Sequence, residues 1–149
     1  MRTVIFAAAD RPQMERALAV RFAVFVDEQR VPGEIEVDEH DMQDPRAAHV
    51  LVIDDDETPI AAGRLYERDV AVVQIGRMAV LGPYRGRGIG ALLLDTLMAE
   101  ARRRGYVRAV LHAQTHAKGF YEKAGFIAHG DAFDDAGIEH IEMTKALDS

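Results

Sequence analysis

The sequence predicts an α/β (α+β) domain: a mixed, mostly antiparallel twisted sheet of six to seven strands flanked by about four helices. Three observations carry that prediction. Short β-branched stretches separated by turn residues fill the first half of the chain, and strand-like and helix-like stretches alternate in the second. One segment, 88–104, carries an apolar stripe at helical spacing. A chain of 149 residues with 48% apolar content is enough for one domain, 1–149, with a core of its own.

In chain order, TVIFAA (3–8) reads as a first strand. Over 12–28, Met14, Leu18, Phe22, Phe25 and Val26 recur at helical spacing, and Pro12 suits a first turn, which predicts one helix. RVPGEIEVDEHDMQDPRA (30–47) is an acidic connection punctuated by Pro and Gly, with room for a short helical turn. AHVLVIDDDETPIAAGRLYER (48–68) reads as two strands joined at the acidic turn Asp54 to Pro59, and DVAVVQIGRMAVL (69–81) as a long third. The helix over 88–104 has Ile89, Leu92, Leu93, Leu97 and Ala101 on one face. Arg102 to Arg104 complement its C-terminal dipole, and Gly105 ends it. VRAVLHA (107–113), FIAHG (126–130) and IEHIEMTKA (138–146) are strands, with a short helix in HAKGFYEKAG (116–125).

There is no cysteine, which excludes disulfides and thiolate metal sites and suits a reducing cytoplasm. The N-terminal apolar run is too short for a signal peptide, and no run approaches the ~18 apolar residues of a membrane span. A soluble, cytoplasmic protein is expected. The net charge of -7 argues against a nucleic-acid binder. Its distribution is uneven. Asp27 to Glu57 holds twelve acidic residues against two arginines, whereas Tyr84 to Arg108 holds six arginines against two acids. Either these are solvated surfaces, or an anion site lies next to a site for something cationic.

The basic region opens on YRGRGIG (84–90), which runs directly into the predicted helix. Glycine starts a helix poorly, and no Ser, Thr, Asp or Asn is present to cap the free N–H groups. A glycine-lined helix N-terminus offers unpaired donors and partial positive charge, and Arg85 and Arg87 add forked cations. The missing cap is therefore expected to be a ligand phosphate. The G-x-x-x-x-G-K-[ST] nucleotide loop is absent. A dinucleotide fingerprint matches formally at Gly86, Gly88 and Ala91, but the strand VRAVLHAQ carries no acid to hold a ribose. The pattern [RQ]-x-x-G-x-[GA] is matched by Arg85, Gly88 and Gly90.

With IGRMAV upstream and LHAQTHAKGFYEKAGF downstream, the sequence resembles the GNAT superfamily of acyl-CoA-dependent N-acetyltransferases. Ala117, Phe120, Tyr121, Gly125 and Phe126 fit the family's downstream pattern, with Gln114 in place of the usual Asn. RFAVFVDEQRVP, the acidic loop ending at His49, and GIEHIEM extend the likeness over nearly the whole chain, to the ElaA-like subgroup. That subgroup usually has a proline before the last histidine, where this chain has Glu139.

The resemblance implies the GNAT fold and direct transfer of an acetyl group from acetyl-CoA, as co-substrate, to a primary amine of a small molecule or peptide. Met78, Ala79 and Val80 would face the pantetheine arm, with an N–H near Val80 as oxyanion donor. Arg85, Gly86, Arg87, Gly88, Ile89, Gly90 and Ala91 would wrap the pyrophosphate, with Ala117 and Tyr121 alongside. Gln114 would bond the cofactor or cap the short helix. Tyr121 is the expected general acid, since a phenol of pKa about 10 is protonated at neutral pH. Glu28 is the first candidate base, with His40, Asp41, His49, His112 and His140 as others. Phe25, Glu28, His49, Arg77 and His140 would meet the acceptor, although Arg77 reads slightly better as a buried structural ion pair. His112 and His116 are four apart, but a strand end intervenes, so no metal is expected. A homodimer is compatible with the sequence. A non-catalytic acyl-CoA-binding regulator on the same fold is the alternative function, and retention of Tyr121 favours the enzyme.

Overall fold

The computed structural model describes residues 1–147. Seven strands form one sheet: β1 (Arg2–Phe6), β2 (Ala48–Ile53), β3 (Pro59–Asp69), β4 (Val72–Val80), β5 (Arg108–Gln114), β6 (Ile127–Asp135) and β7 (Ile138–Ala146). Their spatial order is β1-β2-β3-β4-β5-β7-β6, and among the described residues only the β4–β5 pair is parallel. That pair needs a crossover, which α4 (Ile89–Arg103) supplies. The expected mixed, mostly antiparallel sheet is observed.

The two faces of the sheet carry separate cores. On one, Leu93, Leu94, Leu97 and Ala101 of α4 pack on Val50, Leu65, Ile75, Leu111 and Met143. On the other, Met14, Ala17 and Val20 of α1 (Arg11–Arg21) pack on Leu51, Ile53, Ala62 and Ala79. The single helix expected over 12–28 changes character at Phe22. Phe22–Glu28 is wound as a π-helix, and Gln29 N–H reaches back five residues to the Val24 carbonyl at 3.1 Å. The acidic connection holds two one-turn helices, α2 (Gly33–Glu36) and α3 (Glu39–Met42). α3 is closed by a capping box between Asp38 and Asp41. A short helix α5 (Lys118–Lys123) precedes the terminal hairpin.

Candidate acyl-transfer site

The cleft is made by a parting of strands. β4 and β5 pair from Val72↔Arg108 only as far as Ile75↔Leu111. Beyond that point β4 stays with β3 as far as Ala61↔Val80, while β5 stays with β7 as far as Gln114↔His140. A bulge assists the divergence. Arg64 pairs with Gly76 and Ala62 with Ala79, so β4 carries one extra residue there, and Arg77 has a φ of 50°. Leu81 N–H donates to the Ile60 carbonyl at 3.0 Å. By the alternation of an antiparallel ladder, Val80's own N–H and C=O then point out of the ladder, toward the gap. The gap widens into a cleft of about 750 Å³. Met78, Val80, Ala117 and Tyr121 line it, as do Phe25, Gln29, His112 and His140. That volume suits a small-molecule site.

At the rim, α4 starts without a side-chain cap: its N-cap is Gly88 in the left-handed region, φ 78°. Gly86, φ 79°, makes the preceding turn. The two arginines part company. Arg87 lies over the Tyr84 ring at 5.5 Å, while Arg85 turns inward. Arg85 Nε donates to the Val80 carbonyl at 2.9 Å and a terminal nitrogen to Glu28 Oε2 at 2.8 Å. Gly86 to Ala91 are not among the cleft-lining residues, and Glu28 meets the cleft only through Arg85.

Tyr121 reaches in from α5, held edge-on by Phe120 at 5.0 Å and Phe126 at 6.2 Å. Its hydroxyl donates to Met78 Sδ at 3.8 Å, and burial pushes its pKa up to about 12. Gln114 does not cap the short helix. It forms a reciprocal amide pair with Gln29: Gln114 Nε2 donates to Gln29 Oε1 at 2.8 Å, and Gln29 Nε2 donates back at 3.2 Å. His116 Nε2 also meets Gln114 Oε1, at 2.7 Å. His140 Nδ1 lies 2.7 Å from the Ile138 carbonyl, and the ring is stacked on Phe133. A carbonyl only accepts, so Nδ1 carries a proton there; Nε2 has no partner among the described residues.

Residues 13–147 match the Acetyltransferase (GNAT) domain family. The chain belongs to the GNAT acetyltransferase family. It is 37% identical over 146 residues to the uncharacterized N-acetyltransferase YjcF of Bacillus subtilis, covering 97% of this chain and 99% of that one. The crystal structure of an acyl-CoA N-acyltransferase from Pseudomonas aeruginosa superposes with a TM-score of 0.86 at 29% identity, covering 97% of this chain and 99% of that one. Escherichia coli ElaA superposes with a TM-score of 0.85 at 28% identity, covering 97% of this chain and 98% of that one. The GNAT fold and an acyltransferase activity follow.

This GNAT chain departs from its sequence reading in the acidic region. Glu36, Asp38 and Asp41 are not a free negative field. They are gathered by Arg21, Arg64 and Arg77. Arg21, 1% exposed, binds Glu36 Oε2 at 2.9 Å and Asp41 at 2.7 and 3.0 Å. Arg64 grips Asp38 with two bonds of 2.6 Å. Burial raises Asp41, but the bonds and charge of Arg21, helped by Arg64, outweigh it and hold the carboxyl well below the usual range. For Glu36 burial wins, and its pKa is raised. Asp54 to Glu57 lie in the β2–β3 turn, beside Met1 and Arg2.

Arg77 is at the loose end of this network, 3.4 Å from Glu36 and 3.5 Å from Asp38, and it also lines the cleft. His49 lies outside the cleft altogether. It is 1% exposed, stacks on Phe6, and bonds the His40 carbonyl at 3.1 Å. Its strand removes it: His49 is on β2, with Arg64 of β3 opposite it and between it and the β4–β5 gap. Two basic members of the network, Arg21 and Arg64, escaped the sequence reading; the available signal was that each is embedded in an otherwise apolar stretch.

Proposed function

We propose that the protein transfers an acetyl group from acetyl-CoA to a primary amine of a small molecule or peptide. The single observation behind this is the parted β4–β5 gap, with Val80's backbone groups and the Tyr121 hydroxyl directed into it and an uncapped, glycine-lined helix N-terminus at its rim. The donor set suits a thioester bound through a pyrophosphate: free N–H groups of α4 and two guanidiniums at the rim, then an unpaired strand edge inward.

Acetyl-CoA supplies the activated acetyl group. Backbone N–H groups at the start of α4, with Arg85 and Arg87, hold phosphate oxygens. Val80 N–H polarises the thioester carbonyl as negative charge develops on its oxygen. Tyr121, kept protonated by burial, gives its proton to the departing sulfur. His140, which lines the cleft and has Nε2 free of partners among the described residues, takes the proton from the attacking amine in this reading. Glu28 is the weaker candidate because Arg85 already holds it.

The test is thiol release from acetyl-CoA across a panel of amines, beside calorimetric binding of acetyl-CoA, NAD and ATP. Acetyl-CoA alone should bind, and turnover should require an amine. Binding without turnover on any amine would favour a regulator. Equal binding of all three would remove the coenzyme A assignment.

A further inference from the structure

Glu28 and Arg85 come from opposite sides of the cleft mouth. Glu28 is the last residue of the π-helical segment, and Arg85 follows the turn Gly82–Tyr84. Their contact is 2.8 Å, and the same guanidinium covers the Val80 carbonyl at 2.9 Å. The next residue, Gln29, is fastened to β5 through its amide pair with Gln114, which fixes where Glu28 can stand. Arg85 is thus a cation at the threshold of the helix start, with Nε and one terminal nitrogen, the side-on edge of its guanidinium, already committed to a strand carbonyl and a carboxylate.

We infer that Glu28 is an internal competitor for Arg85, an anion that the incoming pyrophosphate displaces. This rests on the acetyl-CoA reading above. One guanidinium cannot turn inward to Glu28 and outward to a phosphate at α4 with the same donors. When it turns outward, the Val80 carbonyl is uncovered on the open edge of β4. Filling the phosphate site and opening the inner cleft are then one event, and Glu28 sets its cost as a positioning residue.

Both side chains are nearly half exposed, 43% for Glu28 and 48% for Arg85, so the contact has the modest strength of a surface ion pair. Removing the competitor should therefore tighten acetyl-CoA binding by roughly 1.4- to 5-fold. The experiment is calorimetric binding of acetyl-CoA to the wild type, Glu28→Gln, Arg85→Ala and the double variant. Glu28→Gln is expected to bind more tightly and Arg85→Ala more weakly, with Glu28→Gln adding nothing once Arg85 is gone. Unchanged or weaker binding by Glu28→Gln overturns the inference and leaves the acetyl-CoA assignment standing. A gain that persists in the Arg85→Ala background is a general field effect and also overturns it. A wild type that does not bind acetyl-CoA overturns both.

Discussion

Tyr121 has a fixed ring and a phenol that is protonated at neutral pH, so it carries a proton to give where a thiolate departs. Phe120 and Phe126 hold the ring edge-on, and burial lifts the phenol to about 12. Tyr121→Phe preserves the ring and removes only the hydroxyl. The expected result is a fall in kcat of about 10²–10⁴, with KM for acetyl-CoA nearly constant, the pattern of an interaction made in the transition state. Steady-state kinetics on an accepted amine checks this, and full activity would reduce Tyr121 to a packing residue. The raised pKa carries a second consequence. Tyr121 is still protonated at pH 10, so an alkaline loss of rate below that pH would belong to another group. Gln114 shows the opposite relation between sequence and role. One methylene longer than the Asn of the family pattern, it meets Gln29 across the cleft, a partner 85 positions away that no local pattern could reveal.

α4 was legible because its period is unambiguous and its ends are punctuated; the observed Ile89–Arg103 differs from the reading by a residue at each end. The strands β2 to β5 and β7 were legible for a related reason, β-branched runs bounded by turns. The π-helix was not. Met14, Leu18, Phe22 and Phe25 fit an α-helical stripe, and one slipped turn leaves that spacing intact. The bulge at Arg77 was hidden as well, since a residue with φ of 50° is usually announced by Gly or Asn. The glycines of the loop differ in kind. Gly88 has a φ of 78° with open space around its Cβ position, so Gly88→Ala introduces strain without a clash, roughly 1–2 kcal/mol. Gly90 lies inside the helix, where an added Cβ meets only the Phe120 ring, at 3.4 Å. Gly90→Ala should be neutral or stabilising by up to about 1 kcal/mol through helix propensity. Urea unfolding of both variants checks the contrast. Equal effects would mean that the left-handed cap is not what holds the loop in shape.

The two cores lie on opposite faces of the sheet, and the charged network stitches the α1 side to the acidic connection. Arg21 of α1 and Arg64 of β3 clamp Glu36, Asp38 and Asp41, three acids from a segment with little apolar content of its own. Stability should therefore depend on pH through this assembly. His49 packs beside it, and burial lowers its pKa below the ordinary value near 6.5, assisted by the charges of Arg21 and Arg64 and opposed by its bond to the His40 carbonyl and by Asp41. The unfolded chain then takes up the histidine proton before the folded one does, so this stability is complete above about pH 6.5 and declines as pH falls. Glu36 works the other way. Its raised pKa lets the folded state accept a proton first, so acidification relieves its burial and offsets part of the His49 loss. Asp38 and Asp41 have lowered values, so their contribution persists to about pH 4 and is lost below it. Scanning calorimetry should show a first decline in Tm between about pH 6.5 and 5 and a steeper one below about pH 4. A His49→Asn variant, less stable overall from lost packing on Phe6, should lack the first decline and keep the second. If it retained the first step undiminished, the charge would be entering elsewhere, and His49 would be a packing residue whose protonation the fold never senses.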